Sequence, residues 1–212
     1  MVSLKPPKLD QKITPVLSDD QIKACAGPDM WDRRGEAIVR LMVETGARAG
    51  EIVGMMLDDI DLKTGMATVR RGKGGKGRRV PFSPQTGRAL DRYLRARRTH
   101  RLASTPVLWL GDRGKTFSYD GLYSTLRHRA DRAGIPDFHP HMMRHTAASR
   151  WLAAGGSEGG LMAVAGWSRR EMIDRYTRAT SERRAADEAR ALNLATSDAR
   201  PHHEAPECSG AS

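Results

Sequence analysis

Between Asp58 and Phe82 the chain abandons the helical spacing that governs most of its length. Asp58-Asp59-Ile60-Asp61-Leu62, the turn Lys63-Thr64-Gly65, and Met66-Ala67-Thr68-Val69-Arg70 read as two strands of a hairpin. Gly72-Lys73-Gly74-Gly75-Lys76-Gly77 follows as a flexible turn, and Arg78-Arg79-Val80-Pro81-Phe82 as a third, edge-type strand, because proline cannot donate to a ladder. One small antiparallel sheet inside an otherwise helical chain defines the expected class: mainly α, with a small antiparallel β-sheet (α+β), built as a single domain.

Helix signals divide the remainder. Ser18-Asp19-Asp20-Gln21 is a capping box that opens a helix to about Ala26. Trp31 to Thr45 carries Ala37, Ile38, Leu41 and Met42 on one stripe, and Gly46 ends it. Arg48 to Met56 resumes as a short helix with Ile52 and Val53 inward. Ser83-Pro84 pairs an N-cap with proline at the first helical position and opens a helix to about Arg98. Val107–Leu110 is a short extended apolar run, and Ser118 caps a helix to Ala133, closed by Gly134. Helices are then expected from about Pro140 to Ala154 and near Leu161–Ala165. A second capping box, Ser168-Arg169-Arg170-Glu171, opens the helix bearing Tyr176, and Glu182–Leu194 forms an Ala/Arg/Glu-rich helix. Residues 1–17 read as a basic, Pro-rich arm or linker, 18–195 as the folded domain, and 196–212 as a disordered tail.

The 212 residues carry 36 Lys+Arg against 25 Asp+Glu, a net charge of +11. That excess favours a polyanionic partner, nucleic acid before anionic membrane. No apolar run approaches the ~18 residues a bilayer span requires, and the N-terminus lacks the apolar core of a signal peptide. Cys25 and Cys208 stand far apart without a CxxC pairing, which points to a reducing cytoplasm.

Several groups have the chemistry to break a phosphodiester without a metal. Charge grows on the non-bridging oxygens as the attacking group arrives, and arginine answers it with a planar fork that stays charged. Arg48 and Arg144, from distant segments, are the candidate clamp. Lys73, between Gly72 and Gly74, can deliver a proton to the leaving 5′ oxygen. His141, one helical turn before Arg144, can exchange a proton with the nucleophile. Tyr176 supplies an oxygen able to form a phosphotyrosyl ester, and Trp167 offers an indole N–H. Arg70, Arg71, Lys76, Arg78 and Arg79 surround the lysine turn and are expected to contact DNA phosphates.

Taken together, Thr-Gly-Ala-Arg-x-x-Glu, Gly-Lys-Gly-x-x-x-Arg-x-Val-Pro, His-x-x-Arg-His and Gly-Trp-x8-Tyr resemble the tyrosine recombinase (phage integrase) family in residue type, order and spacing. The resemblance covers roughly Ser18 to Leu194. It implies the family's catalytic-domain fold and an active site of Arg48, Lys73, His141, Arg144, Trp167 and Tyr176, with Glu51 as a supporting carboxylate. The implied enzyme is a site-specific recombinase acting on double-stranded DNA. It cuts one strand, leaves a 3′-phosphotyrosyl link and a free 5′-OH, and rejoins to a partner strand with no metal, ATP or other cofactor. A homotetramer held through the C-terminal helix, accessory DNA-bending proteins and a cytoplasmic, nucleoid-associated location belong to the same expectation.

Two departures from the family pattern stand out. Most relatives carry histidine where Trp167 stands, so hydrogen bonding and packing are expected there without proton transfer. Relatives also place a helical DNA-clamping domain ahead of the catalytic one, where this chain has only its linker-like residues 1–17. Either the chain is a fragment or its DNA grip is weakened. The competing readings are a non-catalytic DNA-binding relic of a recombinase and a topoisomerase-like relaxing enzyme. His141 and His145 also have zinc-pair spacing, but Met142 occupies the place of a metalloprotease glutamate and Arg144 repels a cation.

Overall fold

The computed structural model describes residues 15–27, 32–70, 77–112, 115–173 and 189–190. Seven helices are named along them: α1 (Asp19–Cys25), α2 (Arg33–Thr45), α3 (Ala49–Val53), α4 (Pro84–Arg97), α5 (Tyr119–Arg132), α6 (Pro140–Ala153) and α7 (Glu158–Ala165). The strands β1 (Ile60–Asp61), β2 (Met66–Val69) and β3 (Arg78–Pro81) lie between α3 and α4. They form one antiparallel sheet in the order β1-β2-β3.

α2 is the helix around which the others pack. Ala37, Ile38, Val39, Leu41, Met42 and Val43 are all buried, so the apolar face is wider than the expected stripe. α4, α5 and α6 cover it from different sides. Even Glu36 is buried on it, paired with Arg40 and Arg92. The helix starts at Arg33 rather than at Trp31 because Asp32 accepts the Gly35 amide and acts as its N-cap. It stops at Gly46, whose φ of +60° closes the last turn.

The expected hairpin is present, with a shorter first strand. Leu57–Asp59 makes a turn of 3-10 helix instead of extended chain. The cause is Asp59, whose buried carboxylate accepts the Met56 amide and pairs with Arg70. In β2 and β3 the side chains alternate, so Ala67, Val69 and Val80 face the core. The register sets Val69 opposite Arg78 and Ala67 opposite Val80.

Residues 98–112 connect α4 to the rest through long-range polar contacts. The Val107–Leu110 run contributes two isolated bridges, Met56 to Val107 and Leu110 to Thr116, rather than a strand. The buried Arg97 guanidinium donates to the carbonyls of Ala103, Thr105, Val107 and Leu108. Trp109 is buried below it and donates its indole N–H to the Ile52 carbonyl. A second apolar cluster unites the C-terminal half of α6 with α7: Ala148, Leu152, Leu161, Ala165, Trp167 and Ile173.

Candidate active site

Arg48 sits at the N-cap of α3, immediately beyond the end of α2. Its position follows from local geometry: Gly46 ends one helix and α3 begins three residues later. Arg48 donates from Nη1 to Glu51 Oε1 at 3.0 Å and from its backbone amide to Glu51 Oε2 at 2.8 Å. Glu51 therefore caps α3 and aims the arginine at once.

The same carboxylate receives a second arginine. Arg78, from β3, donates Nη1 to Oε1 at 3.0 Å and Nη2 to Oε2 at 2.8 Å, a bidentate pair. Glu51 is 5% exposed and Arg78 11% exposed. Burial by itself raises the Glu51 carboxyl. Hydrogen bonds from the Arg78 side chain and the Arg48 amide, with the charges of both arginines, outweigh it and hold the group below the usual carboxylate range. The site thus carries a fixed anion beneath two cations.

α6 supplies the next pair. His139 is its N-cap and Pro140 its first residue, so His141 lies in the first turn and is exposed to solvent. Arg144, one turn on, is 7% exposed and points inward. Its Nη1 donates to the Gly46 carbonyl at 2.6 Å and its Nη2 to the Ala165 carbonyl at 2.7 Å. Both acceptors lie at helix C-termini, where unpaired carbonyls concentrate negative partial charge. One guanidinium therefore ties the ends of α2 and α7 to α6.

Trp167 follows the end of α7 and packs in the second apolar cluster, with the Arg144 guanidinium carbon 5.1 Å from its ring centroid. The turn between them needs Gly166. Its φ is +64°, and a Cβ there would lie 3.0 Å from Arg78 Nη1. Arg78 Nε completes the junction with a 2.7 Å bond to the Val164 carbonyl. The last turn of α7 is thus held by Arg78 from the sheet and Arg144 from α6.

Arg48, Glu51, Arg144 and Trp167 converge on this junction, and His141 stands on the turn preceding Arg144. Lys73, Tyr176, Arg71 and Lys76 lie outside the described residues, as does the expected helix at Glu182–Leu194 except for residues 189–190, which are helical. Arg70 and Arg79 are exposed beside the sheet, Arg70 paired with Asp59. Arg78 departs from the expected row of phosphate contacts, because its side chain turns inward onto Glu51 and Val164. The signal was available: Arg78 precedes Val80 by two residues on a strand, so both belong to one face.

Comparisons with known proteins agree with this architecture. The phage integrase family profile matches residues 19–183. Tyrosine recombinase XerD of Mycobacterium tuberculosis is 34% identical over 165 residues, which cover 72% of this chain and 53% of the relative. The chain thus spans about half the length of that protein. The crystal structure of XerA recombinase superposes with a TM-score of 0.74 at 28% identity, covering 89% of this chain and 67% of that one. The fold also matches XerH site-specific recombinase bound to palindromic difH substrate, in a post-cleavage complex, with a TM-score of 0.68 at 19% identity over 84% of this chain and 53% of that one. The helices around α2 and the three-stranded sheet are the fold of a tyrosine recombinase catalytic domain, and the chain belongs to the phage integrase family.

Proposed function

We propose that this protein is a site-specific DNA recombinase that breaks and rejoins strands through a 3′-phosphotyrosyl intermediate. The observation that carries the reading is the pair of guanidiniums, Arg48 held by Glu51 and Arg144 held by the Gly46 carbonyl two residues before Arg48, with His141 one turn before Arg144. The match to XerD and the DNA named with the XerH structure support DNA as the substrate.

In this reading Arg48 and Arg144 grip the scissile phosphate and offset the charge that builds on its non-bridging oxygens. The Tyr176 oxygen attacks phosphorus while His141 accepts its proton. The bond to the 5′ oxygen breaks, and Lys73 protonates that oxygen. Rejoining reverses each transfer, with a 5′-OH attacking the tyrosyl ester. Trp167 holds its place by packing and offers its indole N–H as a donor, without titrating. Arg70, Arg71, Lys76 and Arg79 contact the DNA backbone. The protein works as a homotetramer on two duplexes, aided by DNA-bending proteins, within the cytoplasm at the nucleoid. Among the described residues no helix is long and apolar enough to cross a membrane.

The test uses a duplex selected by the protein from a randomised library and nicked beside the scissile phosphate, so that cleavage traps the covalent species. A protein–DNA adduct is expected, and Tyr176→Phe should abolish it while DNA binding persists. An adduct that survives in Tyr176→Phe, or none with intact protein, overturns the reading. Truncation after Thr180 is expected to weaken assembly on DNA more than DNA contact; unchanged assembly would remove the C-terminal helix from the interface.

A further inference from the structure

We infer that Arg78 is a positioning residue of the strand-exchange site, one that locks β3 to Arg48 and to the last turn of α7. The inference rests on the recombinase reading for its functional consequence and on geometry for its substance.

Three separate parts of the chain meet at this one guanidinium. From β3 it reaches Glu51 of α3 with both terminal nitrogens, at 3.0 and 2.8 Å, and the α7 carbonyl of Val164 with Nε, at 2.7 Å. Glu51 in turn orients Arg48 through Nη1 and the backbone amide. The α7 end leads through Gly166 to Trp167. Gly166 has no side chain at the point where a Cβ would stand 3.0 Å from the Arg78 guanidinium, so the close approach is built into the sequence. A displacement of β3 is thereby passed to Arg48 on one side and to the end of α7 on the other.

A phosphate contact and a positioning residue make opposite predictions for the same substitution. A cation on DNA releases counterions, so removing it weakens binding and lowers the salt slope by about one unit. Arg78 is 11% exposed and its partner carboxylate 5%, which places the pair beneath the surface. Its loss should leave affinity and salt slope near their original values and lower the rate of the bound complex. Misplacement of an aligned group by about an ångström can reduce a rate by about 10²-fold.

Arg78→Gln and Arg78→Lys, in the full chain, test this on the selected nicked duplex. DNA affinity is measured against salt, adduct formation is timed with DNA-saturating protein, and amide hydrogen exchange is followed across residues 160–167. The expected result for Arg78→Gln is affinity within about twofold, an adduct rate lower by about 10²-fold and faster exchange at the end of α7. Arg78→Lys keeps the charge but not the fork, and should recover only a small part of the rate. Combining Arg78→Gln with Glu51→Gln should cost less than the sum of the two, because they share one ion pair. Lost affinity with an unchanged rate once bound would make Arg78 a phosphate contact and overturn the inference, as would full rescue by lysine. If the unmodified protein forms no adduct, the recombinase reading falls. The exchange measurement then decides alone: faster exchange in Arg78→Gln upholds the lock, and unchanged exchange overturns it.

Discussion

Arg144 and Arg97 are both buried arginines that satisfy main-chain carbonyls, yet their removal should have different consequences. Arg97 closes the 98–108 loop through four acceptors far in sequence from the candidate site residues. Each buried carbonyl left unpaired costs about 1–3 kcal/mol. The Leu108 carbonyl keeps its bond from Tyr93 and the other three are only part-buried, so Arg97→Met is expected to lower unfolding free energy by about 2–4 kcal/mol, read by urea titration, while adduct formation per folded molecule stays unchanged. Arg144→Lys retains a charge, but one ammonium cannot reproduce a fork that spans the Gly46 and Ala165 carbonyls. Its adduct rate is expected to fall by about 10²-fold or more, with a smaller loss of stability. The neighbourhood of Arg48 with Glu51 and of His141 with Arg144 was legible because each pair stands three residues apart, one helical turn. The four acceptors of Arg97 were not, because no local pattern announces which carbonyls a loop will turn inward.

Helix boundaries follow the same division between local and distant causes. Ser18, Ser83 and Ser118 cap their helices as their chemistry foretold, each accepting an amide three residues ahead. Asp32 and Ser157 do the same work and were missed, one behind Trp31 and the other in the Gly-rich entry to α7. The first strand of the hairpin shrank because Asp59 found a buried role that depends on Arg70, eleven positions away. At the ends of α2 and α7 the left-handed glycines are needed for more than backbone freedom. A Cβ on Gly46 would lie 3.3 Å from the Ala147 Cβ, and one on Gly166 would meet Arg78. Gly46→Ala and Gly166→Ala are each expected to cost about 1–2 kcal/mol from the positive φ alone, measured by thermal or urea unfolding. Gly166→Ala should also slow adduct formation as Arg78→Gln does, since both disturb one contact.

For the molecule as a whole, the carboxylate under the two arginines gives a pH signature. The Glu51 pKa is lowered in the folded protein, so its contribution to stability is complete above the unfolded value of about 4.3. The contribution is lost as pH falls below that unfolded value and through the lowered folded one. Urea unfolding followed from pH 7 downward should therefore show an acid-side loss that is smaller in Glu51→Gln. An equal slope in both proteins would count against the carboxylate as the source. Far from that anion, the chain makes its entry at Leu17, whose amide donates to the Thr146 hydroxyl at 2.9 Å, and that hydroxyl donates to the Met142 carbonyl at 2.7 Å. The knot sits on the back of the turn that presents the imidazole and the inner guanidinium. A displacement of Leu17 is consequently delivered to α6 itself. Thr146→Val cuts that link at nearly constant volume, and α6 would then answer only to its own neighbours.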